Sequence, residues 1–187
     1  MVNEYAVVTG SLGAVARQGG VSLAESFVSA DAIVIFDSSG SMDARDSRGG
    51  KSRYDVALEE LSQLQATMPG KIAVIAFSDS AQFCPGGVPP FLGQGTDLAA
   101  ALRFARVADV PGMKFVVCSD GQPDDEGEAL AEARRYQNPI SVIFVGREDD
   151  PRGRSFLAQL ASATGGTTVT ADRVMQLAEK AARLLLN

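Results

Sequence analysis

Histidine and tryptophan are missing from this 187-residue chain, and cysteine occurs only twice. Without histidine, the chain cannot assemble the Ser/His or Cys/His pair on which the common nucleophilic mechanisms depend. Two cysteines make no disulfide framework, and Cys118 falls within an apolar strand pattern, where a free thiol behaves as a small hydrophobic side chain. This cysteine usage favours a reducing compartment.

Positive charge is also scarce. The chain has 17 basic and 23 acidic residues, for a formal net charge of -6, and this balance argues against nucleic acid or an anionic membrane as a partner. The first residues lack the basic and apolar parts of a secretory signal, and no run of 18 apolar residues occurs. We therefore expect a cytoplasmic protein that contacts neither nucleic acid nor membrane.

The pattern of apolar residues predicts alternating strands and helices. Four apolar runs have the length and β-branched content of buried strands, namely 32–36, 72–77, 115–119 and 140–145. Between or after these runs, apolar residues recur at helical spacing and predict five helices. Three of them span 52–66, 97–105 and 123–136, and the other two begin at Phe156 and Asp172. A short edge strand is expected at 81–84 and a last strand at 167–170. The alternation predicts an α/β fold, a doubly wound and mostly parallel sheet covered by helices on both faces.

The first 28 residues differ in character from the rest. Residues 5–9 are compatible with a short strand, several glycines interrupt any long regular element, and Ser22 and Glu25 have the spacing of a capping box. We expect residues 1–28 to be an extension that packs on the domain or docks a partner, and residues 29–187 to form the main domain.

Oxygen-bearing side chains gather directly after the first buried strand, at Asp37-Ser38-Ser39-Gly40-Ser41. Ligands of open parallel sheets bind beyond the carboxyl ends of the strands, which is where this segment should lie. Asp37, Ser39 and Ser41 alternate, and Gly40 allows a turn tight enough for them to converge. Oxygen-only donors suit a hard cation such as Mg²⁺.

This Asp-x-Ser-x-Ser segment resembles the metal-ion-dependent adhesion site of the von Willebrand factor A family. Thr96, before a helical stretch, and Asp120, after a buried strand, match the remaining two positions of that site. The resemblance covers residues 30–187 and implies a short antiparallel edge strand in the sheet. It also implies that Ser39, Ser41 and Thr96 bind the ion directly, whereas Asp37 and Asp120 act mainly through water.

By the same resemblance, the ion would be Mg²⁺, with Mn²⁺ or Ca²⁺ as alternatives, and would keep an exposed coordination position. An Asp or Glu side chain of a protein partner would fill that position, so the family implies a binding module and no enzyme. Intracellular bacterial relatives act as adaptors beside ATPases or in stress-response and metal-resistance complexes, which are plausible settings for the partner.

Two other functions remain open at this stage. An aspartate after the first strand also resembles the site of haloacid-dehalogenase-like phosphohydrolases. Those enzymes have an Asp-x-Asp motif, in which the first carboxylate is the nucleophile and the second is the general acid. Ser39 stands at the second position here, and a serine cannot act as that acid. A metal-free structural interaction module with a vestigial site is the other alternative. Nucleotide binding is not indicated, because no strand is followed by a Walker-type glycine loop ending in lysine or by a Gly-x-Gly-x-x-Gly motif.

The remaining acidic residues near the motif are expected to have ordinary structural roles. The polar loop 42–51, which contains Asp46, is expected to be a solvated rim. We expect Asp97 to cap a helix or support the site. Asp124, Asp125 and Glu126 are assigned to the first turn of the following helix, where negative charge is favoured. The charged loop 147–154 is expected near the same edge of the sheet.

Overall fold

A six-stranded sheet with the order β3-β2-β1-β4-β5-β6 forms the centre of the computed structural model, which describes residues 7–147 and 151–170. All neighbouring strands are parallel except β2 and β3, which are antiparallel. The strands are β1 (Ala32–Asp37), β2 (Ile72–Phe77), β3 (Ala81–Phe83), β4 (Lys114–Ser119), β5 (Ile140–Phe144) and β6 (Thr168–Thr170). This topology confirms the predicted doubly wound α/β fold with one antiparallel edge strand.

The helices divide between the two faces of the sheet. They are α1 (Leu12–Gly19), α2 (Leu23–Val28), α3 (Arg53–Thr67), α4 (Leu98–Ala105), α5 (Glu126–Ala133) and α6 (Pro151–Thr164). Apolar side chains of α4, α5 and α6 share one buried cluster with Leu12 of α1, and those of α3 belong to a second cluster on the opposite face. Short 3-10 helices occur at Gly40–Asp43, Arg48–Gly50 and Arg106–Ala108.

The strand register places the end of β1 between its two neighbours. β1 is fully buried, as expected for a central parallel strand. Asp37 is paired with Phe77 of β2, and Phe36 is paired with Cys118 of β4, so Asp37 and Ser119 end neighbouring strands at one edge. This edge collects the loops that carry the predicted site residues.

The extents of α5 and α6 differ from the sequence prediction: α5 begins at Glu126 and not at residue 123. α5 ends at Ala133 and is followed by a four-residue turn in which Tyr136 N donates to Ala133 O. α6 begins at Pro151, so the predicted loop 147–154 is shorter than expected. Proline suits the first turn of a helix because its missing N–H would have no helical partner there.

The amino-terminal segment contains two helices. Ser11 caps α1 despite Gly13 inside the helix, and Ser22 and Glu25 form the predicted capping box of α2. Gly13 N donates to Pro85 O at 2.8 Å, which joins α1 to the loop after β3. Of the strand expected at 5–9, the described residues Val7–Thr9 do not form a strand.

Two expectations are not tested by this structure. The division into an extension (1–28) and a main domain (29–187) stays a prediction. The closing helix expected from Asp172 lies outside the described residues. Within the described ranges, no helix has both the length and the apolar character needed to cross a membrane.

Candidate metal centre

Asp37 occupies the buried end of β1, where both of its carboxylate oxygens accept hydrogen bonds. Ser39 N donates to Oδ1 at 2.9 Å, and Ser119 Oγ donates to Oδ2 at 2.6 Å. Burial raises the pKa of Asp37 to about 6, despite the opposing effect of these hydrogen bonds, and the charge of Asp120 contributes to the rise. A cation nearby would offset the cost of burying this carboxylate.

The two serines of the motif lie side by side in the loop after β1. Ser39 Oγ and Ser41 Oγ are 3.2 Å apart, with Ser39 fully buried and Ser41 partly exposed. Ser39 has an extended backbone and is the N-cap of the 3-10 helix Gly40–Asp43, which contains Ser41. The structure therefore brings together the first three predicted ligands, Asp37, Ser39 and Ser41.

The segment before Thr96 is bound to the same loop through the backbone. Gly40 N donates to Gln94 O at 3.1 Å, and Gly93 N donates to Ser38 O at 2.9 Å. Gln94 has a φ of 66°, a backbone conformation that residues other than glycine adopt only at an energetic cost. Thr96 itself is 6% exposed.

Asp124 makes two hydrogen bonds to the backbone of Thr96. Its Oδ2 accepts from Thr96 N at 2.8 Å, and its own backbone N donates to Thr96 O at 3.1 Å. The assignment of Asp124 to helix capping is therefore wrong, because its carboxylate is used by a different loop. Asp125 is the N-cap of α5 and Asp97 the N-cap of α4, as predicted.

Asp120, like Asp37, is a buried carboxylate at this edge, with its side chain 0% exposed. Arg53 Nη1 lies 2.8 Å from Oδ2, whereas Oδ1 has no hydrogen-bond partner among the described residues. Leaving a buried charged oxygen unsatisfied is costly, and native structures rarely do so without an ion, water or functional reason. This unpaired oxygen is the observation at the site that fits a bound cation or its water.

Arg53 and Asp46 extend this interaction to the surface. Arg53 Nε lies 2.9 Å from Asp46 Oδ1 and Nη2 lies 2.6 Å from Asp46 Oδ2, a bidentate pair. Hydrogen bonds from Arg53 lower the pKa of Asp46. Most of the loop 42–51 is exposed, as expected for a solvated rim, but its Asp46 carboxylate also anchors a buried arginine.

Ser119 and Arg53 were not among the predicted site residues. Ser119 directly precedes Asp120, so a second hydroxyl at a strand end was a signal that could have been used. Arg53 is the first residue of α3, where the helix dipole disfavours a positive charge. Such a misplaced charge indicates a partner elsewhere in the fold, although it does not identify that partner.

The donor set agrees with a small hard cation. No group of three or more His, Cys, Asp and Glu side chains suitable for a metal occurs among the described residues. The predicted set instead consists of three hydroxyls and two carboxylates, all oxygen donors of the kind that Mg²⁺ and Mn²⁺ accept. The residues present therefore fit such an ion.

No model of a known protein family matches the sequence, and no curated protein matches it. Similar solved structures include an aerotolerance-related membrane protein from Bacteroides fragilis carrying multiple mutations to serines (20% identity, TM-score 0.71, 83% of this chain and 98% of that chain). BatB from Bacteroides thetaiotaomicron is also similar (18% identity, TM-score 0.60, 83% of this chain and 98% of that chain). So is the manganese-loaded TRAP protein of Plasmodium vivax (14% identity, TM-score 0.54, 84% of this chain and 72% of that chain). Together with the sheet topology, these likenesses show that the chain has the fold of a von Willebrand factor A-type domain.

Proposed function

We propose that this chain is a protein-binding module that captures an acidic side chain of its partner through a divalent ion. Ser39, Ser41 and Thr96 would hold the ion directly, with Asp37 and Asp120 acting through water. When bound, the ion supplies a positive charge and an open coordination position for the carboxylate of the partner. The observation that carries this proposal is Asp120 Oδ1, a buried charged oxygen without a partner among the described residues.

The geometry of Asp37 favours binding over phosphoryl-transfer chemistry. A nucleophilic aspartate needs an oxygen that can reach the substrate, but Asp37 is 0% exposed and both oxygens accept hydrogen bonds. The chain has no histidine, and Ser39 stands where a second carboxylate would be needed. We therefore propose no enzymatic activity. Mg²⁺-dependent hydrolysis of a generic phosphate ester that disappears in Asp37→Ala would contradict this assignment.

The nature of the ion is supported by one similar structure. The Plasmodium vivax TRAP protein is described as manganese-loaded, which supports a divalent ion in a domain of this fold. Mg²⁺ is the ion we propose for this chain, and Mn²⁺ is the convenient substitute for spectroscopy. A metal-free structural module is the alternative to this assignment.

Titration with Mn²⁺ tests metal binding directly. We expect one site by calorimetry and by the loss of the free Mn²⁺ signal in electron paramagnetic resonance. Thr96→Ala should weaken binding at least tenfold, whereas Thr67→Ala, an exposed threonine whose hydroxyl bonds Leu64 O within α3, should not change it. An absence of binding in the unchanged protein would favour the metal-free module.

The partner is proposed to be a protein that presents Asp or Glu, in the cytoplasm, beside an ATPase or in a stress-response complex. The description of the Bacteroides fragilis protein as aerotolerance-related supports the stress setting. Affinity capture should recover the partner in Mg²⁺ but not with chelator or with Ser39→Ala/Ser41→Ala. Replacing the contacting acidic residue of the recovered protein should also abolish binding. A partner retained equally under all these conditions would refute capture through the ion.

A further inference from the structure

A buried arginine separates the candidate metal centre from the neighbouring surface loop. The Arg53 side chain is only 8% exposed and contacts Asp120 on the inside and Asp46, whose side chain is 25% exposed, on the outside. The guanidinium uses Nη1 for Asp120 and both Nε and Nη2 for Asp46. Its planar shape therefore fixes the orientation of both carboxylates at once.

Helix stability does not explain the presence of arginine at this position. Arg53 is the first residue of α3, where the positive end of the helix dipole repels a cation. Arg53 N donates to Ala44 O, which ties the start of the helix to the loop, but this contact uses only the backbone. The interactions of the side chain are therefore directed toward the carboxylates.

The contact with Asp120 has a specific consequence for metal binding. A carboxylate with both oxygens free can bind a cation directly, through either oxygen or both. Arg53 occupies Oδ2, so Oδ1 is the carboxylate oxygen of Asp120 that has no hydrogen-bond partner among the described residues. Arg53 also places a positive charge next to the carboxylate and thereby reduces its attraction for the ion.

We propose that Arg53 is a positioning residue that holds Asp120 back from direct coordination, so that the ion keeps a bound water and an open position for the partner. This inference rests on the proposed function. It predicts that Arg53 lowers metal affinity and thereby preserves the affinity of the loaded site for a carboxylate. A residue that only stabilised the fold would have the opposite effect on metal affinity or none.

The test compares the unchanged protein with Arg53→Met, which keeps the length of the side chain but removes its charge and donors. Mn²⁺ affinity should rise roughly tenfold, because a nearby positive charge is lost and Asp120 becomes free to bind. Electron paramagnetic resonance in ¹⁷O-enriched water should show one fewer water on the bound Mn²⁺. The thermal shift caused by Mn²⁺ should exceed that of the unchanged protein.

Two further variants separate positioning from folding. Asp46→Asn leaves the contact between Arg53 and Asp120 intact, so neither Mn²⁺ affinity nor the number of bound waters should increase. Arg53→Lys keeps the charge but cannot bridge both carboxylates, and should raise Mn²⁺ affinity about threefold. It supplies the comparison if Arg53→Met does not fold.

The possible failures are distinguishable. If the unchanged protein binds no Mn²⁺, the proposed function and this inference both fall. If it binds Mn²⁺ but the Arg53 variants bind with equal or lower affinity and unchanged hydration, only the inference is overturned. An increase in Asp46→Asn as large as in Arg53→Met also overturns it, because loosening of the surface loop would then be the cause.

Discussion

Ser119 Oγ donates a 2.6 Å hydrogen bond to Asp37 Oδ2 and thereby joins the ends of two neighbouring strands that are 82 residues apart in sequence. The same oxygen accepts from Gly121 N at 3.0 Å, so Ser119 also shapes the turn that follows β4. One buried hydroxyl thus orients Asp37 and the backbone beside Asp120.

Ser119→Ala is expected to destabilise the domain by about 1–3 kcal/mol, because Asp37 Oδ2 and Gly121 N would lose their partner in a buried setting. Ser62→Ala is the control, since Ser62 Oγ bonds Leu58 O on a partly exposed face of α3 and should change stability by less than about 0.5 kcal/mol. Urea denaturation measures both. Equal effects would contradict a special role for Ser119.

Divalent ions are expected to stabilise the folded protein. A ligand at 100 times its dissociation constant adds about 2.7 kcal/mol to the free energy of unfolding. Mg²⁺ or Mn²⁺ should therefore raise the melting temperature, chelator should reverse the change, and Ser39→Ala/Ser41→Ala should abolish it. An equal shift in the double variant would show that the ion binds elsewhere.

The support of Thr96 by Asp124 can be tested against its neighbour. Asp124→Ala should lower Mn²⁺ affinity about tenfold, because Thr96 N loses its acceptor and the loop loses its orientation. Asp125→Ala removes the same charge one residue away and deletes the N-cap of α5, which costs about 1 kcal/mol of stability. Calorimetric titration should show almost unchanged affinity in that control. Similar losses in both variants would indicate a general charge effect.

Gly121 packs against α6 too closely for any side chain. It has a φ of +77°, and a Cβ atom there would lie 2.2 Å from Gly153 O. Gly121→Ala should cost more than the roughly 1–2 kcal/mol expected for the left-handed conformation alone. Gly165 has the same φ but nothing within 4 Å of its Cβ position, so Gly165→Ala isolates the conformational cost. Denaturation curves that coincide for the two variants would contradict this explanation.

Local patterns in the sequence were sufficient to predict the layers of the fold. Apolar runs such as 32–36 and 72–77 match buried strands because a parallel strand covered on both faces requires continuous apolar residues. Serine and aspartate caps located the helix starts at Ser22 and Asp97 for an equally local reason. The antiparallel edge strand came from the family resemblance, and the topology confirms it.

What the sequence alone determined is therefore the fold class and a set of oxygen donors at strand ends. Tertiary structure decided which donors are already engaged: Asp37 with Ser119, Thr96 with Asp124, and Asp120 with Arg53. These pairs join residues 28 to 82 positions apart, and hydrogen bonding depends on distance and direction in space, which periodicity does not encode. Only the folded chain shows that one oxygen of Asp120 is held by Arg53 while the other has no partner among the described residues.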